Sequence, residues 1–510
     1  MKKYFSKKDF FIITVLVMVP FLWMPNPAGA TENLHEEFVD AQYSSQSPKV
    51  LPEETSGSTS NNPVEEIPRE AFSANENIDD IVLETEKMTP LQRFKNYFSA
   101  DLQLLAYGIA QDPVESSRNP NNDFLEIPHY RADLEIKPDF YFDTNYLELS
   151  AKPRAKFDFR LWEEGMREGD TEGKDDWYLN EWLVRLNGWN RLFVSYGRVN
   201  LQWGPSFLVS PSNPFFSDNG RGNTYAEVQG MDFARLLLVP HSDWSISLIV
   251  NTDEGRNTLP NLETFEKIYA LKIDYTGRNG YGSLIYSKKE SNQTDKMGFF
   301  GVWTASDALL LYTEGSARKG SHAWYPVKDS SRFGASLQQS HRDEDDIRPS
   351  ILAGGAYTFF NGGTLTLEYL YNGLGYDKDE ANLAFSTLQE ASDAYYRTIN
   401  KKNSRWALKT KEDLLDYLSS QPTDPGLRFL RRNYGMLQYH QVNIFNRLAI
   451  TLRWTQNFDD GSGQLFGLFS YSLGDYWDIY GTAAVNVGNE DTEYGGVLNY
   501  QAMLGIKFNL

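Results

Sequence analysis

Four cations recur on alternate residues in AKPRAKFDFRLW, residues 151–162: Lys152, Arg154, Lys156 and Arg160, with one acid, Asp158, among them. The intervening positions are Ala151, Pro153, Ala155, Phe157, Phe159 and Leu161. Successive side chains of a strand point to opposite faces, so this segment has one oily face and one cationic face. A row of ammonium and guanidinium groups on a low-dielectric wall focuses positive potential and concentrates anions beside it.

The same split extends along the chain. In 128–143 an apolar set including Leu134 and Ile136 alternates with His129, Arg131, Asp133, Glu135, Lys137 and Asp139. When each strand's polar face is assigned to one side, the cations are Arg131, Lys137, Lys152, Arg154, Lys156, Arg160, Arg185, Arg235, Lys272, Arg447, Arg453 and Lys507. The acids are Asp133, Glu135, Asp139, Asp158, Glu181 and Asp274. This face is basic although the whole chain carries a formal charge of −20. The opposing expectation is pairing across the 128–143/145–162 hairpin, with Asp139 or Glu135 against Lys152 or Arg154, which would stiffen the wall and weaken the field.

Other chemistry is thinly supported. The six histidines are His35, His129, His241, His322, His341 and His440, and none lies in a Ser-centred elbow or a zinc-type spacing. The chain therefore reads as a non-enzyme without a cofactor. The acidic stretches at 341–346, 457–460 and 488–491 lack the EF-hand spacing and read as solvated faces, so no metal site is expected. Net acidity argues against nucleic acid as a partner.

The elements that would carry such a face are strands. From about residue 99 the pattern is strand, tight turn, strand, longer loop, repeated to the last residue. Candidate strands are 99–111, 128–143, 145–162, 177–187, 190–200, 229–240, 243–251, 266–276, 278–289 and 295–305. They continue at 307–317, 331–341, 350–360, 363–373, 433–444, 446–456, 461–474, 475–487 and 499–510. Tight turns fall at 143–145, 187–190, 241–243, 277–280, 306–307, 361–363, 445–446 and 474–475. Short turns on one side and longer loops on the other predict an all-β, antiparallel transmembrane β-barrel; a soluble β-sandwich array would share the composition. Nineteen candidates is odd where bacterial barrels use even numbers, and chain length favours eighteen, within sixteen to twenty. Either a short strand hides near 317–331, giving twenty, or 99–111 lies outside the wall, giving eighteen. A cation on the lipid face near the midplane would cost ~2–4 kcal/mol, so the cationic face must look into the lumen. Pro138 and Pro153 each delete a ladder hydrogen bond and predict a bulge or a rim position.

The ends add a location. Lys2, Lys3, Lys7 and Lys8 precede FFIITVLVMVPFLWM and then PNPAGA, the layout of a signal peptide with Ala28 and Ala30 at the cleavage site. Residues 31–98 read as an acidic, mostly disordered periplasmic segment; 31–90 hold fourteen Asp or Glu and three Lys or Arg. Thr89-Pro90 starts a short helix near its end. Residues 99–510 form the barrel. The last strand alternates Tyr500, Ala502, Leu504, Ile506, Phe508 and Leu510, the kind of strand that barrel-assembly machinery reads. Outer-membrane lipid and lipopolysaccharide are the other expected partners. The chain has no cysteine, which excludes disulfides and a lipidated N-terminal Cys.

The stretch NEWLVRLNGWNRLFVSYGRVNLQWGPSFLVSPSNPFF, residues 180–216, resembles porin-like barrels of the alginate-export and capsule-assembly groups. The shared features are Gly197 and Arg198, then Trp203 and Gly204, at the end of an early strand. The resemblance implies a channel or surface-polysaccharide role. The loop after it is expected to fold inward as a constriction through Trp203, Pro205, Phe207, Phe215 and Phe216. The insertion at 374–432 contains two helix-like stretches, DEANLAFSTLQEASDAYYRTI and KEDLLDYLSS, and reads as an extracellular lid. The combined expectation is an outer-membrane conduit for anionic solutes, a carboxylate or an acidic polysaccharide. Two other readings are a non-conducting barrel that anchors polysaccharide and, less favoured, an outer-membrane hydrolase.

Overall fold

The computed structural model describes residues 97–510 apart from 189–190, 217–219, 257–264, 291–294, 322, 330–334, 342–344 and 400–428. The signal peptide, its cleavage site, residues 31–96 of the acidic segment and KEDLLDYLSS lie outside the described residues, and Phe98, at the segment's end, opens β1.

Strands β1 Phe98–Pro113, β2 Tyr130–Asp143, β3 Leu147–Leu161, β4 Thr171–Gly188, β5 Leu192–Val199 and β6 Met231–His241 open the wall. It continues with β7 Trp244–Asp253, β8 Ile268–Thr276, β9 Gly280–Lys289, β10 Asp295–Ser306 and β11 Leu309–Lys319. After a small hairpin, β12 Tyr325–Lys328 and β13 Ala335–Gln338, come β14 Ile347–Thr358, β15 Thr364–Asn372 and β16 Asn433–Ile444. The last are β17 Leu448–Asn457, β18 Gly463–Ser472, β19 Trp477–Val487 and β20 Leu498–Asn509. Eighteen of them form one antiparallel sheet in which β1 pairs with both β2 and β20, so the sheet closes into a barrel with no free edge.

Two expectations are corrected. The segment 331–341 is not a wall strand: β11 pairs directly with β14, and Ala335–Gln338 pairs only with Tyr325–Lys328 in a separate two-stranded sheet. Four residues are too few to span a wall whose transmembrane strands need about nine to eleven. The segment at 99–111 is a wall strand, and its register with β20 closes the ring.

The side chains are arranged inside out. Leu248, Leu284, Leu367 and Leu452 are more than half exposed, whereas their polar neighbours Ser247, Ser283, Glu368 and Arg453 are at most 5% exposed. An outward leucine left in water would forgo about 1.5–3 kcal/mol. A whole ring of them requires hydrocarbon around the barrel, where closed hydrogen bonding is obligatory. All eight tight connections, from 144–146 to 473–476, lie at one end; the longer ones lie at the other. The backbone is left-handed at Phe445 and Asn446 in the turn at 445–447, and at Asn443 just before it in β16. Only the Asn residues tolerate that readily.

The long-loop end carries helix α1, Lys378–Ile399. Asp377 caps it by accepting from the Asp379 and Glu380 amides (3.0 and 2.9 Å), and Glu380 accepts the Asp377 amide in return (2.7 Å). Its apolar face packs Leu388, Ala391 and Tyr395 on Phe124 of the β1–β2 loop, and Ala381 on Tyr325 of β12.

Candidate functional site

The cations of β2 and β3 lie inside the barrel, and each has a carboxylate partner. Lys156 reaches Asp133 (3.1 Å) and Glu135 (2.9 Å) across the β2–β3 hairpin; Arg131 also pairs with Asp133, and Lys137 with Glu135 at 2.7 Å. Arg160 holds Asp158 (3.0 Å), Lys152 holds Glu181 (3.4 Å), Arg185 holds Glu148, and Lys507 holds Asp478 (3.2 Å). Pairing did not equalise access. The cation is the more exposed partner in Arg131/Asp133 (27% against 0%), Lys156/Asp133 (24% against 0%) and Arg160/Asp158 (32% against 8%). In these three pairs the shorter acid is the more buried partner; in Arg154/Asp139, Arg154/Glu227 and Lys272/Asp274 the acid is the more exposed one.

Strand β4 reaches this row by a bulge. Lys152 opposes Glu181 and Pro153 opposes Leu179, leaving Asn180 as the extra residue. The bulge shifts the alternation by one, which is how Tyr178 and Glu181 both come to face the row. Pro153 sits at this bulge, and Pro138 lies where the β2–β3 ladder is interrupted between Ile136 and Phe140.

The loop between β5 and β6, residues 200–230, folds into the barrel. Its first half is buried on the inner wall: Trp203, Phe215 and Phe216 join Phe233, Ile249 and Phe300, while Leu208 joins Tyr312, Leu352 and Leu370. These three aromatic rings therefore lie between loop and wall. Pro205 is also buried, and Phe207 is partly open with the Arg221 guanidinium 5.8 Å from its ring. Two wall carboxylates fix the backbone. Glu314 accepts from the hydroxyls of Ser206 (2.6 Å), Ser210 (2.5 Å) and Ser212 (2.7 Å) and from the Ser212 amide (3.2 Å). Glu368 accepts from the Phe207 and Leu208 amides (2.7 and 3.0 Å) and the Tyr312 hydroxyl (2.7 Å). Both glutamates are at most 1% exposed, where an unpaired carboxylate would cost several kcal/mol. Gly204 has no side chain because a Cβ would sit 2.3 Å from the Glu314 carboxylate.

The second half of the loop crosses to the cationic wall. Tyr225 stacks on Tyr480 of β19 (3.9 Å, 10°), with Lys507 5.9 Å from its ring. Glu227 takes the Arg154 guanidinium in a fork, Nε at 2.9 Å from both oxygens and Nη2 at 2.6 Å from Oε1, while Arg154 Nη1 holds Asp139 at 2.7 Å. Arg154, expected in the solute path, is thus a loop contact.

Arg453 is buried, with Nε on Gln438 (2.9 Å) and Nη2 on the Arg221 carbonyl (3.4 Å). Lys272 pairs with Asp274 and sits 5.5 Å from the Trp203 ring. Arg235 donates to Ser247 Oγ at 3.1 Å. Arg447 is not on a wall strand; it is exposed in the 445–447 turn. Sequence reasoning missed Glu148, Glu227, Glu314, Glu368 and Asp478. Glu368 left a signal: a single acid on the inward row between Thr366 and Leu370 needs partners to be buried.

The GR and WG pairs have packing roles. A Cβ on Gly197 would lie 2.1 Å from the Trp182 carbonyl, and Arg198 grips Asp232 with Nε at 2.6 Å. At the long-loop end, burial pushes the Asp459 carboxyl up, but the Arg432 and Asn433 amides and the Asn433 side chain bring it below the usual carboxylate range. His129 accepts the Glu163 amide on Nδ1 (3.1 Å), and His440 Nδ1 lies 2.9 Å from Thr451 Oγ1.

No protein-family model matches the chain, and no curated protein does. The solved structures to which it is similar include three bacterial proteins. They are Pseudomonas aeruginosa OccK7 (OpdD), with TM-score 0.45 and 10% identity over 81% of this chain and 98% of that one; Acinetobacter baumannii OccAB1, with TM-score 0.47 and 10% identity over 81% and 97%; and Pseudomonas aeruginosa OprD, with TM-score 0.46 and 10% identity over 81% and 95%. The eighteen strand pairings, rather than these similarities, define the barrel.

Proposed function

We propose that this chain is an outer-membrane channel that favours anionic solutes, with small carboxylates as the principal class. The observation that carries the reading is the greater exposure of the cation in the Arg131/Asp133, Lys156/Asp133 and Arg160/Asp158 pairs along β2 and β3. Such an arrangement gives a passing anion a series of weak, replaceable partners, as conduction requires. The short turns face the periplasm and α1 with its loops faces outward. Lipid and lipopolysaccharide surround the wall, and the assembly machinery engages β20. The attachment of the 200–230 loop to opposite walls favours small solutes over export of a polysaccharide strand, and over a purely anchoring barrel. The GR/WG resemblance to alginate-export barrels is accounted for by packing.

The test is the reversal potential across a salt gradient in planar bilayers. Wild type should prefer anions, and Lys152→Gln/Lys156→Gln/Arg160→Gln should move toward neutrality while retaining heat-modifiable gel mobility. A cation-preferring wild type, or unchanged selectivity in the triple variant, would sink the reading.

A further inference from the structure

The two halves of the lumen loop are held very differently. Residues 201–216 are mostly buried and fixed by Glu314 and Glu368. Of residues 224–229, four are exposed: Thr224, Ala226, Glu227 and Gln229. This stretch meets the far wall through the Tyr225–Tyr480 stack, the Glu227–Arg154 fork and a 3.5 Å contact from Asn180 Nδ2 to the Val228 carbonyl. Its ion pair with that wall is a carboxylate on a guanidinium.

A carboxylate tethered to the chain and a carboxylate free in the lumen present the same planar pair of oxygens to Arg154. The Glu227 side chain is 25% exposed while that of Arg154 is 5% exposed, so solvent reaches the fork from the glutamate side. Lys152 and Lys156 lie two residues to either side on the same face of β3, with side chains 25% and 24% exposed. Asp139 holds Nη1 on the other side and keeps the guanidinium oriented when the Nε/Nη2 edge is vacated. We propose that Arg154 is a carboxylate-binding subsite occupied by the chain's own Glu227, and that a carboxylate solute displaces Glu227 and frees residues 224–229 from the far wall. This rests on the anion-channel reading and adds to it a ligand class, a residue and a release step. An internal competitor lowers the apparent affinity for solute by the fraction of time the subsite is free.

The chain has no cysteine, so Thr224→Cys takes a single nitroxide label in the full-length, detergent-folded protein. Its mobility is read while sodium glucuronate, or glucose as the neutral match, is titrated in. Glucuronate should mobilise the label and glucose should not. In the Glu227→Gln background the label should be mobile from the start. There, half-saturation of glucuronate binding, measured by calorimetry, should fall by about tenfold or more. Arg154→Lys, which keeps charge but loses the fork, should start mobile and bind glucuronate more weakly than Glu227→Gln. A label equally immobile in wild type and Glu227→Gln, or one that glucose mobilises as well as glucuronate, would overturn the proposal. The label reads loop release without conduction. An anion-selective wild type with an unresponsive label therefore rejects only the subsite, and a responsive label in a non-conducting protein rejects only the channel.

Discussion

Glu314 shows what one buried side chain does in this lumen. Its carboxylate receives three hydroxyls and one amide from a single turn of the loop. Glu314→Ala would remove four hydrogen bonds to a charged group, each worth ~1.5–3 kcal/mol and the set not additive, although the Ser206 and Ser210 hydroxyls can turn to the Val209 and Trp203 carbonyls. We expect a loss of about 2–4 kcal/mol, seen as a lower unfolding temperature of the heat-modifiable form. Glu314→Gln keeps one acceptor oxygen and should cost less than half as much; equal stability of all three proteins would remove Glu314 as the loop's anchor. Nothing in LYTEGSARK announces this role, because Thr313 and Ser316 put polar groups on both faces and blur the inward row. The cationic row was legible because its intervening positions are uniformly apolar. Its pairing partners were half legible: Asp133, Glu135 and Asp139 share its hairpin, whereas Glu227 lies seventy-three residues from Arg154 and has no local signal.

At the scale of elements, period-two alternation located the strands well and their turns better. It failed where a segment alternates without belonging to the wall, as in RFGASLQQSH, whose four paired residues form a rim hairpin. It also could not place the β4 bulge, because an extra residue at Asn180 changes which parity faces inward without changing composition. Helix α1 was readable from its sequence, and its start is set by Asp377 and Glu380. Asp377→Ala should cost about 1 kcal/mol of local helix stability, measured as faster amide exchange over 379–383 with exchange in β15 unchanged. Equal exchange in both proteins would mean that packing on Phe124 and Tyr325 alone sets the helix start.

The barrel of the described residues is a ring whose faces differ: apolar side chains outside, charge within, and a loop attached to opposite walls of the interior. The sequence carries the ring's parity but left the odd strand between a hidden strand near 317–331 and 99–111 outside the wall, since closure is a relation between β1 and β20 that no window of residues contains. At that closure Leu102 and Leu510 exchange amide–carbonyl hydrogen bonds at 2.9 Å in both directions. The wall's beginning and end therefore lie side by side on the short-turn rim, where a few added residues could bridge them. A circular permutant is then feasible, with 98 and 510 linked and the chain reopened at the 307–308 turn. In detergent it should fold to the same heat-modifiable form, because every strand keeps its neighbours. In cells it would present β10, ending GVWTAS, as its last strand instead of β20. Folding in vitro with failed insertion in vivo would support the proposed role of β20 as an insertion signal, apart from its share in the barrel's stability. Success in both would remove that role from β20.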